Sequence, residues 1–234
     1  AYALRYLGSL ARDWGDHAAA RGLYEESLAL SRELGERGNI ASTLTNLGIV
    51  ASSQNDFAAA RALHEESLAL SREMGSRTGV AYALTNLGIV AQSQGDHAAA
   101  QGLYGEGVAL YRELGHRVGI AYALRHLASL AQERGDHAAA RGLYGESLAL
   151  YRELGDRGSI ACGLAALAEV SPPLHAARLW GALERLLEQI GAGLPPRKRP
   201  AYDHPAVAAR AALGDDAAFD AAWAEGRAMT LEQA

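Results

Sequence analysis

Asn46 and Asn86 stand 40 residues apart, and each carries a side chain that both donates and accepts hydrogen bonds. Such an amide can pair with a peptide backbone whatever the peptide's sequence. Asparagine is otherwise a mediocre residue for a helix interior. The same register, counted from Ala1, Ala41, Ala81 and Ala121, sets other polar and aromatic groups beside them. The second position reads Tyr2, Ser42, Tyr82, Tyr122 and Cys162, and the fifth reads Arg5, Thr45, Thr85 and Arg125. The sixth reads Tyr6, Asn46, Asn86 and His126; the ninth reads Ser9, Ile49, Ile89 and Ser129. Tyr82 and Tyr122 offer large contact area at low entropy cost, or pack against neighbouring helices. The middle of these rows is uncharged, with Arg5, Arg12 and Arg125 toward the ends. That composition suits an extended or helical peptide held by apolar and amide contacts better than a strongly acidic one.

Other groups could do chemistry only if they converged. His17, His97 and His137 recur at the same 40-residue spacing. In a stacked array that separates them by about 10 Å per helix layer, while a metal needs ligand nitrogens about 2.1 Å from one centre. Phe57 takes the equivalent place in the second period, which points to aromatic packing. Glu25-Glu26, Glu65-Glu66 and the repeated Arg-Glu pairs read as a solvated helix face, not as paired catalytic acids. No phosphate-binding glycine loop, zinc-protease motif or nucleophile elbow is present. The expectation is a non-enzyme that needs no cofactor and no metal.

The elements that must position these residues follow from the period. Gly15-Asp16-His17-Ala18-Ala19-Ala20 returns as 55–60, 95–100 and 135–140 without slipping by a residue. Such a fixed period belongs to a solenoid, in which each unit buries its apolar face only against its neighbours. Ala41, Leu44, Leu47, Gly48 and Ala51 recur at three and four, the stripe of an amphipathic helix. Asp56 caps a second helix carrying Ala60, Leu63, His64, Ser67, Leu68 and Leu70, which ends at Met74-Gly75. Gly35, Gly115 and Gly155 end its counterparts. The predicted unit is a helical hairpin of about 13 and about 19 residues. Gly8, Gly48, Gly88 and Ala128 leave room on the first helix, and Ala20, Ala60, Ala100 and Ala140 do so on the second. Tyr24, His64, Tyr104 and Tyr144 are expected to plug the space between adjacent hairpins.

The order leucine, then Leu-Gly, then the small alanine and the aromatic resembles the tetratricopeptide repeat, from Ala1 to about Ala168. Two features depart from the usual pattern. The aromatic near the end of the first helix is Ala11, Ala51, Ala91 or Ala131. The unit is 40 residues long against the usual 34, with continuing helix in place of the terminal proline, which predicts a longer second helix. This long form looks like the variant of cell-polarity adaptors, kinesin light chains and many bacterial signalling ATPases. The resemblance implies an all-α, right-handed superhelical solenoid whose first helices line a concave face. The rows named above then become a groove: Tyr82, Tyr122, Thr45, Thr85, Asn46, Asn86, Ile49, Ile89, Arg125 and His126, with asparagine binding the peptide backbone.

The expected organisation is repeats near 1–40, 41–80, 81–120 and 121–160, a first helix of a fifth at 161–170, and capping helices and tail over 171–234. Ser171-Pro172-Pro173 breaks the period, and Leu174 to Ile190 reads as the helix covering the last repeat. Gly191 to Pro200 reads as a loop, with Arg197-Lys198-Arg199 solvated within it. Short helices are expected over Pro205 to Leu213, with proline in the first turn, and Asp215 to about Arg227. The tail also resembles the C-terminal end of bacterial signalling ATPases and LuxR-type regulators, in Ala177-Arg178-Leu179-Trp180-Gly181-Ala182 and in the run from Ala221 to Ala234. That resemblance implies a regulatory or sensor arm.

Composition sets outer bounds. A net charge of −5, with arginines alternating with glutamates, leaves no nucleic-acid footprint. A single cysteine, Cys162, allows no intrachain disulfide and fits a reducing, cytoplasmic setting. No apolar run approaches the roughly 18 residues of a membrane span. A start at Ala1, already inside a repeat, leads to the expectation of a C-terminal piece of a longer protein. The expected function is a protein- or peptide-binding module. Inducer sensing by a small molecule, near Trp180 and the C-terminal helices, is the alternative, as is self-assembly through an exposed terminal repeat.

Overall fold

The computed structural model describes residues 1–191, 199–230 and 233, and among them every regular element is a helix. The helices are α1 Tyr2–Asp13, α2 His17–Glu33, α3 Arg37–Ser53, α4 Phe57–Glu73, α5 Arg77–Ser93 and α6 His97–Glu113. They continue as α7 Arg117–Glu133, α8 His137–Leu154, α9 Arg157–Glu169, α10 Pro173–Gln189, α11 Arg199–Leu213 and α12 Asp216–Ala228. The chain forms two compact units, Ala1–Gly119 and Ile120–Ala234.

The connections from α1 through α9 share one physical cause. Gly15, Gly35, Gly75, Gly95 and their counterparts adopt positive φ, the left-handed conformation that stops a helix without a Cβ penalty. Asn55 fills that place once, with φ 62°. The following residue caps the next helix: Asp16, Asp56, Asp96 and Asp136 accept the amides of Ala19, Ala59, Ala99 and Ala139 at 2.9–3.1 Å.

Helix lengths differ from the expectation. α3 and α4 are 17 residues each, as are α5 and α6. These first helices are thus longer than the expected ~13 residues, and these second helices shorter than the expected ~19. Leu34, Gly35 and Glu36, like Met74, Gly75 and Ser76, turn the chain in three residues, so α3 and α5 begin four residues before Ala41 and Ala81. Ser76 caps α5 through the Gly79 amide.

In unit 1 the hairpin closes on a glycine. A Cβ on Gly8 would lie 2.7 Å from the Tyr24 ring, and one on Gly88 would lie 2.6 Å from Tyr104. The rings therefore fill space inside their own hairpin, where the sequence placed them between hairpins. Tyr24 also meets the next hairpin, packing with Leu44, Leu47 and Val50 of α3. Its hydroxyl donates to Ser9 Oγ, while that of Tyr104 donates to Gln92 Oε1 at 2.7 Å. His64 takes the slot in the second hairpin, buried over Gly48.

In unit 2, Leu148 and Tyr151 of α8, Ile160 and Leu164 of α9, and Leu179, Trp180, Leu183 and Leu186 of α10 make one core. The helix expected to cover the array is itself covered: α12 lies on α10, with Phe219 and Ala222 buried against Ala177. The two backbones cross at Gly181 and Gly226. Asp215 caps α12 through the Ala218 amide at 3.0 Å. α11 starts at Arg199, so Pro205 lies inside the helix and not in its first turn. Proline lacks the amide that would bond four residues back, but its ring is compatible with helical φ. Most of the segment read as a loop, including Arg197 and Lys198, lies outside the described residues.

Candidate functional site

A residue step of about 100° around a helix decides which of the candidate side chains can meet a ligand. The fifth position turns toward the hairpin's own second helix. Thr45 and Thr85 are buried there, bonded to the Ala41 and Ala81 carbonyls at 3.0 and 2.8 Å. Thr45 also meets Ser67 Oγ at 2.8 Å, and Thr85 fills the space beside Gly107. Both were expected on the groove; both are structural. Their short hydroxyls satisfy themselves on the preceding turn, which frees them to sit in the hairpin interior.

Asn86 requires the same correction. It is buried, and its Nδ2 donates to the Tyr82 carbonyl at 2.8 Å, four residues back. Its amide is therefore partly consumed within α5. Asn46, one period earlier, remains half-buried, as do Ile49 and Ile89. Tyr82 keeps 37% of its surface exposed. Burial of its hydroxyl end nevertheless pushes the phenol pKa up, with Arg12 and Asn86 opposing that shift. Arg12 comes from α1, and α3 lies between it and α5 in the chain. Arg12 and Tyr82 act on each other electrostatically, and each also feels Tyr24. Sequence reasoning listed Arg12 but missed this coupling. The available signal was the polar twelfth position, which reads Arg12, Ser52, Gln92 and Gln132.

The remaining candidates form a separate cluster in unit 2, all on α7. Arg125 Nη2 lies 3.0 Å from His126 Nε2, and its guanidinium stands 5.6 Å from the centre of the Tyr122 ring. Tyr122 meets His126 edge-on at 4.7 Å. Burial, reinforced by the Arg125 charge, lowers the His126 pKa to about 3, so the ring is neutral at ordinary pH. Burial pushes the Tyr151 pKa up, and Arg125 opposes that shift. Such a cluster presents a fixed cation flanked by aromatic rings.

Unit 2 also holds a cavity of about 460 Å³ between α10, α11 and α12. Ala206, Val207, Phe219 and Trp223 give it an apolar lining, and Arg210 with Asp220 and Arg227 with Glu184 set ion pairs in its wall. Trp223 Nε1 donates to Glu184 at 2.8 Å. The pocket imagined near Trp180 is thus lined by Trp223, because Trp180 is buried in the α8–α10 core. Among the described residues no group of three His, Cys, Asp or Glu side chains is placed to hold a metal, and no helix is long and apolar enough to cross a membrane.

The sequence profile described as "Tetratricopeptide repeat" matches residues 1–73 and 79–153. Among solved structures the chain is similar to BtubC (BKLC) from P. vanneervenii, at 20% identity and a TM-score of 0.66, covering 82% of this chain and 81% of that one. It is also similar to a putative kinesin light chain of Podosopora anserina with nearly identical TPR-like repeats, at 18% identity and a TM-score of 0.55, covering 82% and 93%. At these identities the likeness speaks for the fold. No curated protein sequence matches the chain.

Proposed function

This chain belongs to the tetratricopeptide repeat family, and from that premise we propose that it is a non-catalytic module that holds a protein or peptide on the first helices of unit 1. Repeats of this family are typically protein-interaction modules. The observation that carries the reading is Tyr82, left 37% exposed, with Asn86 of the same helix and the charge of Arg12 of α1 both acting on its phenol. Asn46, Ile49 and Ile89 extend the same surface with an amide and two half-buried branched side chains. A peptide lying along it meets a phenol, an amide and apolar contacts, with one guanidinium nearby. In the larger context we place this module as the regulatory or sensor arm of a cytoplasmic bacterial signalling protein.

The test begins with peptides selected from a random display library on the full chain. Alanine at both Tyr82 and Asn46 is expected to weaken the selected peptides at least about tenfold, the loss of a central aromatic anchor and a hydrogen bond. Helicity and melting should stay close to those of the parent chain, since neither side chain is fully buried. Unaltered affinity in that double variant would move the site elsewhere.

The cavity in unit 2 favours one second reading, small-molecule sensing at the C-terminal helices. Its size and its mixture of aromatic floor and ion-paired wall suit a small ligand with an apolar body. A ligand present at 100 times its dissociation constant adds about 2.7 kcal/mol to the stability of the unit that binds it. A thermal-shift screen of small metabolites should then yield a compound whose effect vanishes in W223A. A screen in which every shift survives that substitution would remove this reading and leave the first intact.

A further inference from the structure

The charges in the wall of the unit 2 cavity do not balance. Arg210 donates to Asp216 and Asp220, and Arg227 pairs with Glu184 and Glu188. Arg185 approaches Glu188 at 3.4 Å as a further cation. Three guanidiniums against four carboxylates leave one negative charge over. Hydrogen bonds to Asp220 and Asp216 raise the Arg210 pKa, and those to Glu184 and Glu188 raise that of Arg227. An anion entering beside Arg210 or Arg227 would lie against the two carboxylates that already compensate it, and like charges at contact distance repel.

Spare acceptor capacity lines the same space. Asp220 takes its bond from Arg210 on Oδ1, and its Oδ2 has no partner among the described residues. Glu184 receives both Trp223 Nε1 and Arg227 on Oε2, which leaves Oε1 open in the same sense. The Trp223 indole lies three residues after Asp220 on one face of α12, pinned by its bond to Glu184. The Phe219 ring, 5.8 Å from it, is buried and carries the Arg210 guanidinium at 4.4 Å. The half-buried indole is therefore the aromatic surface the cavity can offer a ligand, with Val207 on the α11 side.

We propose that this cavity takes a small primary amine with an aromatic body. The inference rests on the small-molecule reading above and adds to it the charge of the ligand. An ammonium has three N–H donors and no acceptor, which matches carboxylate oxygens left without partners. It donates to Asp220 Oδ2 beside the Trp223 indole, whose face attracts a cation. The body of the ligand lies along the indole toward Val207. A volume of about 460 Å³ falls within the range of small-molecule sites.

The probes are phenethylamine and two molecules of nearly the same shape, phenylpropionate and phenethyl alcohol. Each is titrated into the full chain and followed by thermal shift. The amine should bind at least about tenfold more tightly than the carboxylate or the alcohol, the size of one charge-assisted hydrogen bond. In D220N, which keeps the shape and loses the charge, that advantage should vanish while binding of the alcohol stays. Asp220 is 65% exposed, so the substitution leaves the fold in place. A carboxylate that binds as well as the amine, or an amine whose advantage survives in D220N, overturns the proposal. If the effect of that ligand is then lost in W223A, the cavity still stands as a small-molecule site. No shift with the amine overturns the proposal as well, and leaves the small-molecule reading to the wider metabolite screen.

Discussion

Replacing Gly226 by alanine is expected to lower the stability of unit 2 by at least about 3 kcal/mol, the upper range for forcing an extra methyl into a packed interface. A Cβ at this position would lie 2.7 Å from the Arg178 carbonyl carbon and 2.8 Å from its Cα, with the carbonyl oxygen closer still. Gly181 is its counterpart on α10, facing the Trp223 carbonyl. Both obstacles are backbone, so no side chain can swing away and the helices must separate. The contacts around the crossing cannot hold them together. Arg178–Glu225, Arg227–Glu184 and Arg227–Glu188 are solvated pairs, and exposed pairs of this kind add little to stability. Urea unfolding followed by tryptophan emission gives the measurement. The control is G142A, because nothing lies within 4 Å of a Cβ at Gly142 and alanine there should stabilise its helix. A G226A chain as stable as the parent would mean that α12 does not rest on α10 at this crossing.

The second large effect is a dependence on pH built into the slot filled by His64. Its ring is buried over Gly48, and Nδ1 finds no hydrogen-bond partner among the described residues. Burial lowers its pKa from 6.5 to about 4. The folded chain therefore prefers the neutral ring. Its contribution to stability is complete above pH 6.5 and is lost as pH falls from there to about 4, while the unfolded chain takes up a proton that the folded chain refuses. That difference in pKa corresponds to about 3 kcal/mol. H64Y should remove this acid limb, since Tyr24 and Tyr104 already fit over Gly8 and Gly88. The check is the difference in urea midpoint between the two chains at pH 7.5 and pH 4.5. The gap should widen at the lower pH. An equal gap at both would mean that water reaches the histidine. The His126 pKa is lowered in the same sense in unit 2, so both chains keep some acid sensitivity and only the gap between them reports on His64.

The hairpins were legible because their cause is local. A left-handed glycine followed by an aspartate cap dictates a break wherever it occurs, and the apolar spacing on either side dictates a helix. The starts of α3 and α5 were less legible. Gly35-Glu36-Arg37 looks like a loop by composition, yet the three residues Leu34 to Glu36 suffice to reverse the chain. The candidate site was read less well, for a reason of the same size. Thr45 and Asn86 are polar, and position along a stripe does not reveal that a side chain bonds its own preceding turn. Gly181 and Gly226 gave no signal of their own. A glycine inside a helical pattern reads as a weakness until the helix that crosses it, 45 residues away in the chain, is known.

The caps and left-handed turns of unit 1 bear on how such a chain can change its length. Gly35 and Gly75 have the same φ of 68°, and Leu47 and Leu87 fit under Leu28 and Leu68 in the same way. Excising one whole period would therefore bring together surfaces that already match, whereas deleting a few residues would rotate a helix and unseat its entire stripe. Insertions and deletions tolerated between Ala1 and Gly119 should accordingly be quantised, arriving in whole turns of the sequence rhythm and almost never in fractions of it.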